Sequence, residues 1–256
     1  MIELMLLAAG LIAGTLNSLA GGGSFVAFPA LLAAGVPPVM ANATNTFAAL
    51  PGYISGAAGY AKDILRHRDR LLVYTLVSAI FGYLGAELLL RVSNEAFNQI
   101  VPWLMGFSVL LFAFGAQINR AVARRTGGGR GARLAGTIAL IALLAVLSLY
   151  GGFFNAGFGI MLLAFLAVAG LTDIHAMNGL KLWISAVVAI IATARFIFSG
   201  AIDWYHGGIV LVGVVIGAYL AARIAHRIPT KVIRALVIVY ASGLTAWFFY
   251  TAYFAA

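Results

Sequence analysis

The chain has 256 residues, 63% hydrophobic and 9% charged, with a mean hydropathy of +1.04. A soluble domain carries roughly a quarter charged residues, so the composition excludes a water-soluble globular fold and indicates an all-α polytopic membrane protein. Without Cys it has neither a disulfide framework nor a thiolate metal site, and its net charge of +9 lies in short loops, where positive-inside orientation explains it more simply than nucleic-acid binding does.

In chain order the apolar pattern predicts helices over 2–18, 24–35, 41–61, 71–91, 97–118, 134–152, 156–169, 175–198, 207–225 and 230–254. Glu3 and the absence of a basic stretch before the first run speak against a cleavable signal. Between the first two helices lies Asn17-Ser18-Leu19-Ala20-Gly21-Gly22-Gly23-Ser24. Three glycines in an apolar helical pattern mean broken backbone at membrane depth, tolerated where protein or a polar cavity covers it. Helix N-termini exposed there suit an anion; close helix packing is the structural alternative. The segments 24–35 and 156–169 are too short to span comfortably. From Asn119 to Arg133 runs a flexible basic linker with Arg120, Arg124, Arg125, Arg130 and Arg133 around Gly127-Gly128-Gly129. It divides the chain into a first repeat, 1–119, a linker, 120–133, and a second repeat, 134–256.

The halves resemble each other. Gly35 and Gly170, Ala41 and Ala176, Gly82 and Gly217, and Ala86 and Ala221 all align at one offset of 135 residues. Asn17 aligns with Asn155 if the first glycine break is three residues longer. The basic loop of the first half, Lys62, Arg66, Arg68 and Arg70, follows its first full span. In the second half that position, Ser199 to His206, holds Asp203 and no Lys or Arg; the basic cluster Arg223, Arg227, Lys231 and Arg234 comes one loop later. A positive face that switches by one loop between equivalent positions indicates inverted-topology repeats. Each half then needs an odd number of crossings. A re-entrant hairpin followed by three spans satisfies this, as do five full crossings, with the linker cytoplasmic and both termini external.

Polar residues at the breaks are Asn17, Ser18 and Ser24 in one half and Asn155, beside Gly157 and Gly159, in the other. Asn amides and free helix N–H groups form a donor set without formal charge, and Asn also caps helices. In the following spans Asn42, Asn45 and Thr46 share related faces, as do Asn178 and Lys181. A lysine inside an apolar span marks a functional position, unless it snorkels to the surface. Arg195, near the far end of the same span, is a second candidate cation. Glu87 is the one carboxylate inside a span, either at the interface or paired with Arg195. Asp173 and His175 form a candidate proton relay, and His67 and His226 belong to basic loops. The Trp residues read as interface anchors. No His/Asp/Glu spacing fits a metal, the Gly21–Ser24 stretch lacks the flanks of a P-loop, and no nucleophile–base pair is visible.

The pattern Gly14-x-x-Asn17-x-x-Ala20-Gly21-Gly22-Gly23-Ser24, then Pro29, Leu31, Gly35, Val36-Pro37 and Ala41-x-x-Thr44-Asn45, resembles the sulfite exporter TauE/SafE family, also called the 4-toluene sulfonate uptake permease family. The second half, Asn155-Ala156-Gly157-Phe158-Gly159, is a degenerate version without the glycine triplet. The resemblance covers nearly the whole chain. It implies a bacterial inner-membrane secondary transporter for sulfite, sulfonates or related organosulfur anions.

The expected site combines Asn17, Gly21, Gly22, Gly23, Ser24, Asn45, Asn155, Gly157, Gly159, Asn178, Lys181 and Arg195, with Asp173, His175 and Glu87 as coupling candidates. No cofactor and no nucleic-acid partner is expected, in a monomer or homodimer. An anion channel, or a transporter of another small anion such as a carboxylate, is the alternative. An intramembrane enzyme finds no catalytic constellation. Reporter fusions at the C-terminus should be active outside the cytoplasm; activity confined to the cytoplasm overturns the inverted-repeat argument.

Overall fold

The computed structural model describes residues 1–19, 22–123, 130–224 and 230–254, with backbone alone for 19, 112, 114–123, 130–135, 222–224, 230–234 and 236. Gly21, Arg124, Arg125, Gly127 to Gly129, His226 and Arg227 lie outside the described residues. The described chain is all-α. Its helices are α1 (Ile2–Leu19), α2 (Ser24–Ala33), α3 (Pro38–Gly59), α4 (Ala61–Leu65), α5 (Arg68–Leu90), α6 (Asn94–Ala123), α7 (Arg130–Phe153), α8 (Phe158–Val168), α9 (Ile174–Phe198), α10 (Trp204–Ile224) and α11 (Thr230–Tyr253). Among the described residues, four stretches are long and apolar enough to cross a membrane: Arg68–Leu90, Gly136–Phe153, Ile174–Phe198 and Trp204–Ala221.

These bounds follow the hydropathy reading within a few residues, with two differences. The expected loop Lys62–Arg70 contains the five-residue α4, too short to leave a periodic signal. The segment read as a flexible linker is helical up to Ala123 and again from Arg130. Arginine is a good helix former, so the charge of this stretch does not oppose the helix.

Short helices α2 and α8 are apolar on all sides, and such a helix must be buried. Phe25, Phe28 and Leu31 of α2 and Phe158, Leu162, Phe165 and Leu166 of α8 are almost wholly inaccessible. Phe28 meets Phe97 and Phe154 edge-on, at centroid distances of 6.3 and 5.7 Å. Both short helices end alike. Val36 N–H donates to Leu31 O and Gly35 N–H to Leu32 O, while Leu171 N–H donates to Leu166 O and Gly170 N–H to Ala167 O. This is the glycine C-terminal motif that satisfies the last carbonyls of a helix. Past Gly35, Pro38 sits at the first position of α3, where its missing N–H is not needed.

The left-handed glycines Gly22 and Gly157 are also 135 residues apart, as are Gly35 and Gly170. Asn17 and Asn155 are not structural equivalents. Asn17 lies within α1, whereas Asn155 follows the end of α7.

The strongest packing exchanges helices between halves. Along α1 and α10, Gly10 faces Val210, Gly14 faces Val214, and Thr15 Oγ1 donates to Gly217 O at 3.2 Å. Residue numbers rise together, so the pair is parallel. Helices α5 and α7 are parallel too: Ser148 Oγ donates to Ser78 Oγ at 3.2 Å and Gly82 abuts Gly152. By contrast α3 and α9 are antiparallel, with Gly56 against Leu182 and Gly179 against Tyr60. So are α6 and α11, where Trp103 Nε1 donates to Tyr253 OH at 3.0 Å and Gly106 faces Thr245.

Glycines let the parallel pairs touch backbone to backbone. A Cβ on Gly217 would collide with Leu11 O, and one on Gly85 with Leu149 O. A Cβ on Gly243 would meet nothing within 4 Å. Gly217→Leu and Gly85→Leu should each destabilise the fold by about 1–3 kcal/mol or more, seen as a lower melting temperature in detergent. Gly243→Leu should leave it nearly unchanged.

Candidate functional site

Two breaks in apolar helices create the site, and each leaves backbone groups that lipid cannot satisfy. In the second half, α7 ends at Phe153 and α8 begins at Phe158. Two carbonyls freed there, those of Phe153 and Ala156, are taken by side chains of α3, α6 and α7. Asn42 Nδ2 donates to Phe153 O at 2.8 Å. Ala156 O accepts from Ser108 Oγ at 3.0 Å and from Tyr150 OH at 2.9 Å. Gly157 turns the chain with φ +78°, and a Cβ there would lie 2.6 Å from Ser108 Cβ. Glycine therefore serves both the left-handed backbone and the close approach of α6.

In the first half, Asn17 Oδ1 accepts from Gly23 N–H at 2.8 Å. The side chain thus caps the N-terminal end of α2 from within α1, leaving its Nδ2 for other partners. Gly22 has φ +97°. Asn155 behaves differently from the expected cap. Gly157 holds the N-cap position of α8 without a side-chain bond. The Asn155 Oδ1 accepts from Tyr53 OH at 3.3 Å, and its buried Nδ2 has no protein partner.

The breaks meet. One small cavity is lined by Asn17, Gly22, Ser24, Tyr53, Asn155, Gly157, Gly159, Lys181, Leu182 and Ser185. The N-termini of α2 and α8 both border it, and first-turn N–H groups carry the positive end of a helix dipole. Its volume is about 20 Å³, room for about one water molecule.

Lys181 is 8% exposed, so it does not snorkel to a surface. Its Nζ donates to Asn178 Oδ1 at 3.2 Å, one turn earlier on α9. Among the described residues no carboxylate is ion-paired with it. Glu87 pairs instead with Arg195 at 2.8 Å and Arg91 at 3.0 Å. The site accordingly presents an ammonium, an unpartnered amide N–H₂ and two helix N-termini, all attractive to negative charge.

Of the expected residues, Asn17, Gly22, Ser24, Asn155, Gly157, Gly159 and Lys181 line this cavity, with Asn178 and Gly23 bonded to its lining. Four lie elsewhere. Asn45 is buried in α3 but does not line the cavity. Arg195 belongs to the ion pair with Glu87, near the C-terminal end of α9. Asp173 caps α9 by accepting from His175 N–H at 2.9 Å, and the His175 ring lies 6.2 Å from Tyr60. The contact between Asp173 and His175 in the structure is a carboxylate–backbone cap. Asp173 borders a separate depression of about 170 Å³ with His67 and Arg70, whose Nη1 donates to Ala169 O at 3.1 Å.

Tyr53, Leu182 and Ser185 were not legible as site residues. Leu182 and Ser185 follow Lys181 by one and four positions, so helical spacing identifies Ser185 once Lys181 is accepted. Tyr53 reaches the cavity only because α3 crosses α9.

Comparison with known proteins agrees with this architecture. The family model described as sulfite exporter TauE/SafE matches residues 6–248. The probable membrane transporter protein ORF9 of Sinorhizobium sp. is 29% identical over 240 residues, 93% of this chain and 89% of that protein. A probable membrane transporter protein of Haemophilus influenzae is 28% identical over 245 residues, 94% of this chain and 92% of that one. The probable membrane transporter protein YfcA of Escherichia coli strain K12 is 27% identical over 241 residues, 94% and 87% of the two chains. No solved structure matches the chain. Its helices, its broken-helix cavity and the match over nearly its whole length carry one conclusion: the chain belongs to the sulfite exporter TauE/SafE family of membrane transporters.

Proposed function

We propose that this protein is a secondary transporter of a small sulfur-containing anion, such as sulfite or a sulfonate, working by alternating access coupled to the proton-motive force in a bacterial inner membrane. The observation that carries this reading is Lys181, a buried ammonium without a carboxylate partner in a cavity that also receives two helix N-termini. A buried charge is costly unless paired, and a bound anion supplies the missing partner. Glycines at both breaks let backbone approach the ligand, while Asn155 Nδ2 has a hydrogen bond to give.

Two inverted repeats provide the moving parts in this proposal. Support comes from helix direction. If both halves ran the same way through the membrane, α1 would oppose α10 and α5 would oppose α7, yet both pairs are parallel. Inversion also makes the self-pairs α3 with α9 and α6 with α11 antiparallel, as they are. The α3–α9 crossing carries Tyr53 and Ser185 at its middle, beside the site, where repeats of this kind bind substrate. Sulfite, with four heavy atoms, needs more room than one water. Binding therefore requires the half-helices to separate, and that movement is the proposed coupling between occupancy and access.

Binding should be measured on purified protein with sulfite, thiosulfate, sulfoacetate, taurine and carboxylate analogues. Lys181→Met should weaken sulfur-anion binding by at least about tenfold, the scale of one hydrogen bond to a charged group, and Lys181→Arg should keep part of it. Wild-type affinity in Lys181→Met overturns the site, and preference for the carboxylates overturns the substrate class. Concentrative, pH-dependent flux in proteoliposomes is expected; flux far above transporter turnover identifies a channel instead.

Gly22→Val should abolish transport while the protein still inserts and folds, because a β-branched residue strains at φ +97°. Asn155→Ala should weaken binding by about 1–3 kcal/mol, read by calorimetry.

A further inference from the structure

Among the described residues, three buried polar side chains beyond the cavity carry atoms without a protein partner: Asn42 Oδ1, Asn45 Nδ2 and Thr193 Oγ1. They are 1%, 2% and 4% exposed. Lining of the Lys181 cavity includes none of them. A buried polar atom left unsatisfied is costly, and three of them on the facing helices α3 and α9 call for a common explanation.

The α3–α9 register sets Asn45 and Thr193 at one level of the bundle. Gly56 against Leu182 and Tyr60 against Gly179 set the register of this antiparallel pair. Continued along both helices, that register puts Asn45 level with Thr193, and Asn42 lies one turn farther on the same stretch of α3. The seam joins the cavity through Asn42 Nδ2, which holds Phe153 O two residues before Asn155. Asn45 precedes Tyr53 by eight positions and Thr193 follows Ser185 by eight, so the cluster stands about 12 Å from the cavity, on the side away from Lys181.

We infer that Asn45 and Thr193, with Asn42 behind them, form a second, neutral anion station between the cavity and the end of the protein that carries the Glu87–Arg195 pair. This inference rests on the anion-transport reading above. The amide Nδ2 of Asn45 and the hydroxyl of Thr193 are donors and carry no charge, so the station receives an anion leaving Lys181 without trapping it. The Oδ1 of Asn42 accepts a hydrogen from the water that travels with it.

The native chain contains no Cys, so single cysteines report local access directly. In lipid nanodiscs, Asn45→Cys and Thr193→Cys should each react faster with 2-sulfonatoethyl methanethiosulfonate than with its trimethylammonioethyl analogue, by about tenfold as expected for a field selecting one sign of charge. Methanesulfonate should slow the anionic reagent. Ile190→Cys, on the lipid-exposed side of α9, should react with neither. Absence of reaction at both seam positions, or preference for the cationic reagent, overturns the anion station.

A second arm uses Asn45→Leu with Thr193→Val. Transport of methanesulfonate in proteoliposomes should fall about tenfold, while its binding to the purified variant stays within about twofold, the signature of a step after binding. Unchanged transport, or loss of binding together with transport, overturns a separate station. Failure of the Lys181 reading appears elsewhere, as unchanged binding in Lys181→Met.

Discussion

A polypeptide that interrupts its helices inside an apolar protein must provide, from its own side chains, the hydrogen bonds that water would otherwise make. Most of the local architecture follows from that requirement. Ser108 and Tyr150 converge on Ala156 O, Asn42 holds Phe153 O, and Asn17 reaches out of α1 to take Gly23 N–H. Ser108 and Asn42 tie the second break to α6 and α3, while Tyr150 and Asn17 reach back from the helix that leads into each break. The breaks are consequently held in place by the surrounding bundle, and rigid placement lets their N-termini share one cavity.

Satisfaction is deliberately incomplete where the cavity begins. The Phe153 and Ala156 carbonyls of the second break are bonded, whereas Asn155 Nδ2 and most of the donor capacity of Lys181 are not. Carbonyl oxygens turned away and donors turned inward give the cavity a positive field without an acidic residue in its lining. Glu87 does not pair with Lys181: two arginines, Arg91 and Arg195, hold it. Segregating this carboxylate from the lysine preserves the attraction for an external anion proposed above.

Glycine has two distinct functions in the molecule. At Gly22 and Gly157 it supplies positive φ, and at Gly85, Gly152, Gly213 and Gly217 it lets helices from opposite halves touch. The second function binds α1 to α10 and α5 to α7 along much of their length. With little hydrophobic driving force between helices in lipid, such close packing is the main source of cohesion between the halves. The chemistry is nonetheless unequal: Lys181, Leu182 and Ser185 of α9 and the unpartnered amide of Asn155 all come from the second half. Shared backbone form and divided side-chain roles are compatible, because packing constrains the glycines and leaves polar positions free to differ.

From the sequence alone came the membrane class, ten of the helices, the 135-residue offset of Gly35 and Gly170 and a short set of residues that contained most of the cavity lining. Hydropathy and glycine carry these signals because both act locally: an apolar run needs no partner to be recognised, and a glycine triplet breaks a helix wherever it lies. Tertiary structure alone decided which polar residues meet. Asn45 and Lys181 look alike as polar intrusions in apolar spans, yet one lies in a seam and the other in the cavity. Arg195 has the same formal charge as Lys181 but is neutralised by a carboxylate 108 residues away in the chain. Tyr53 carries no sequence mark and enters the site only through the α3–α9 crossing. These assignments depend on helix rotation and interhelical register, long-range quantities that a periodic pattern along one helix does not encode.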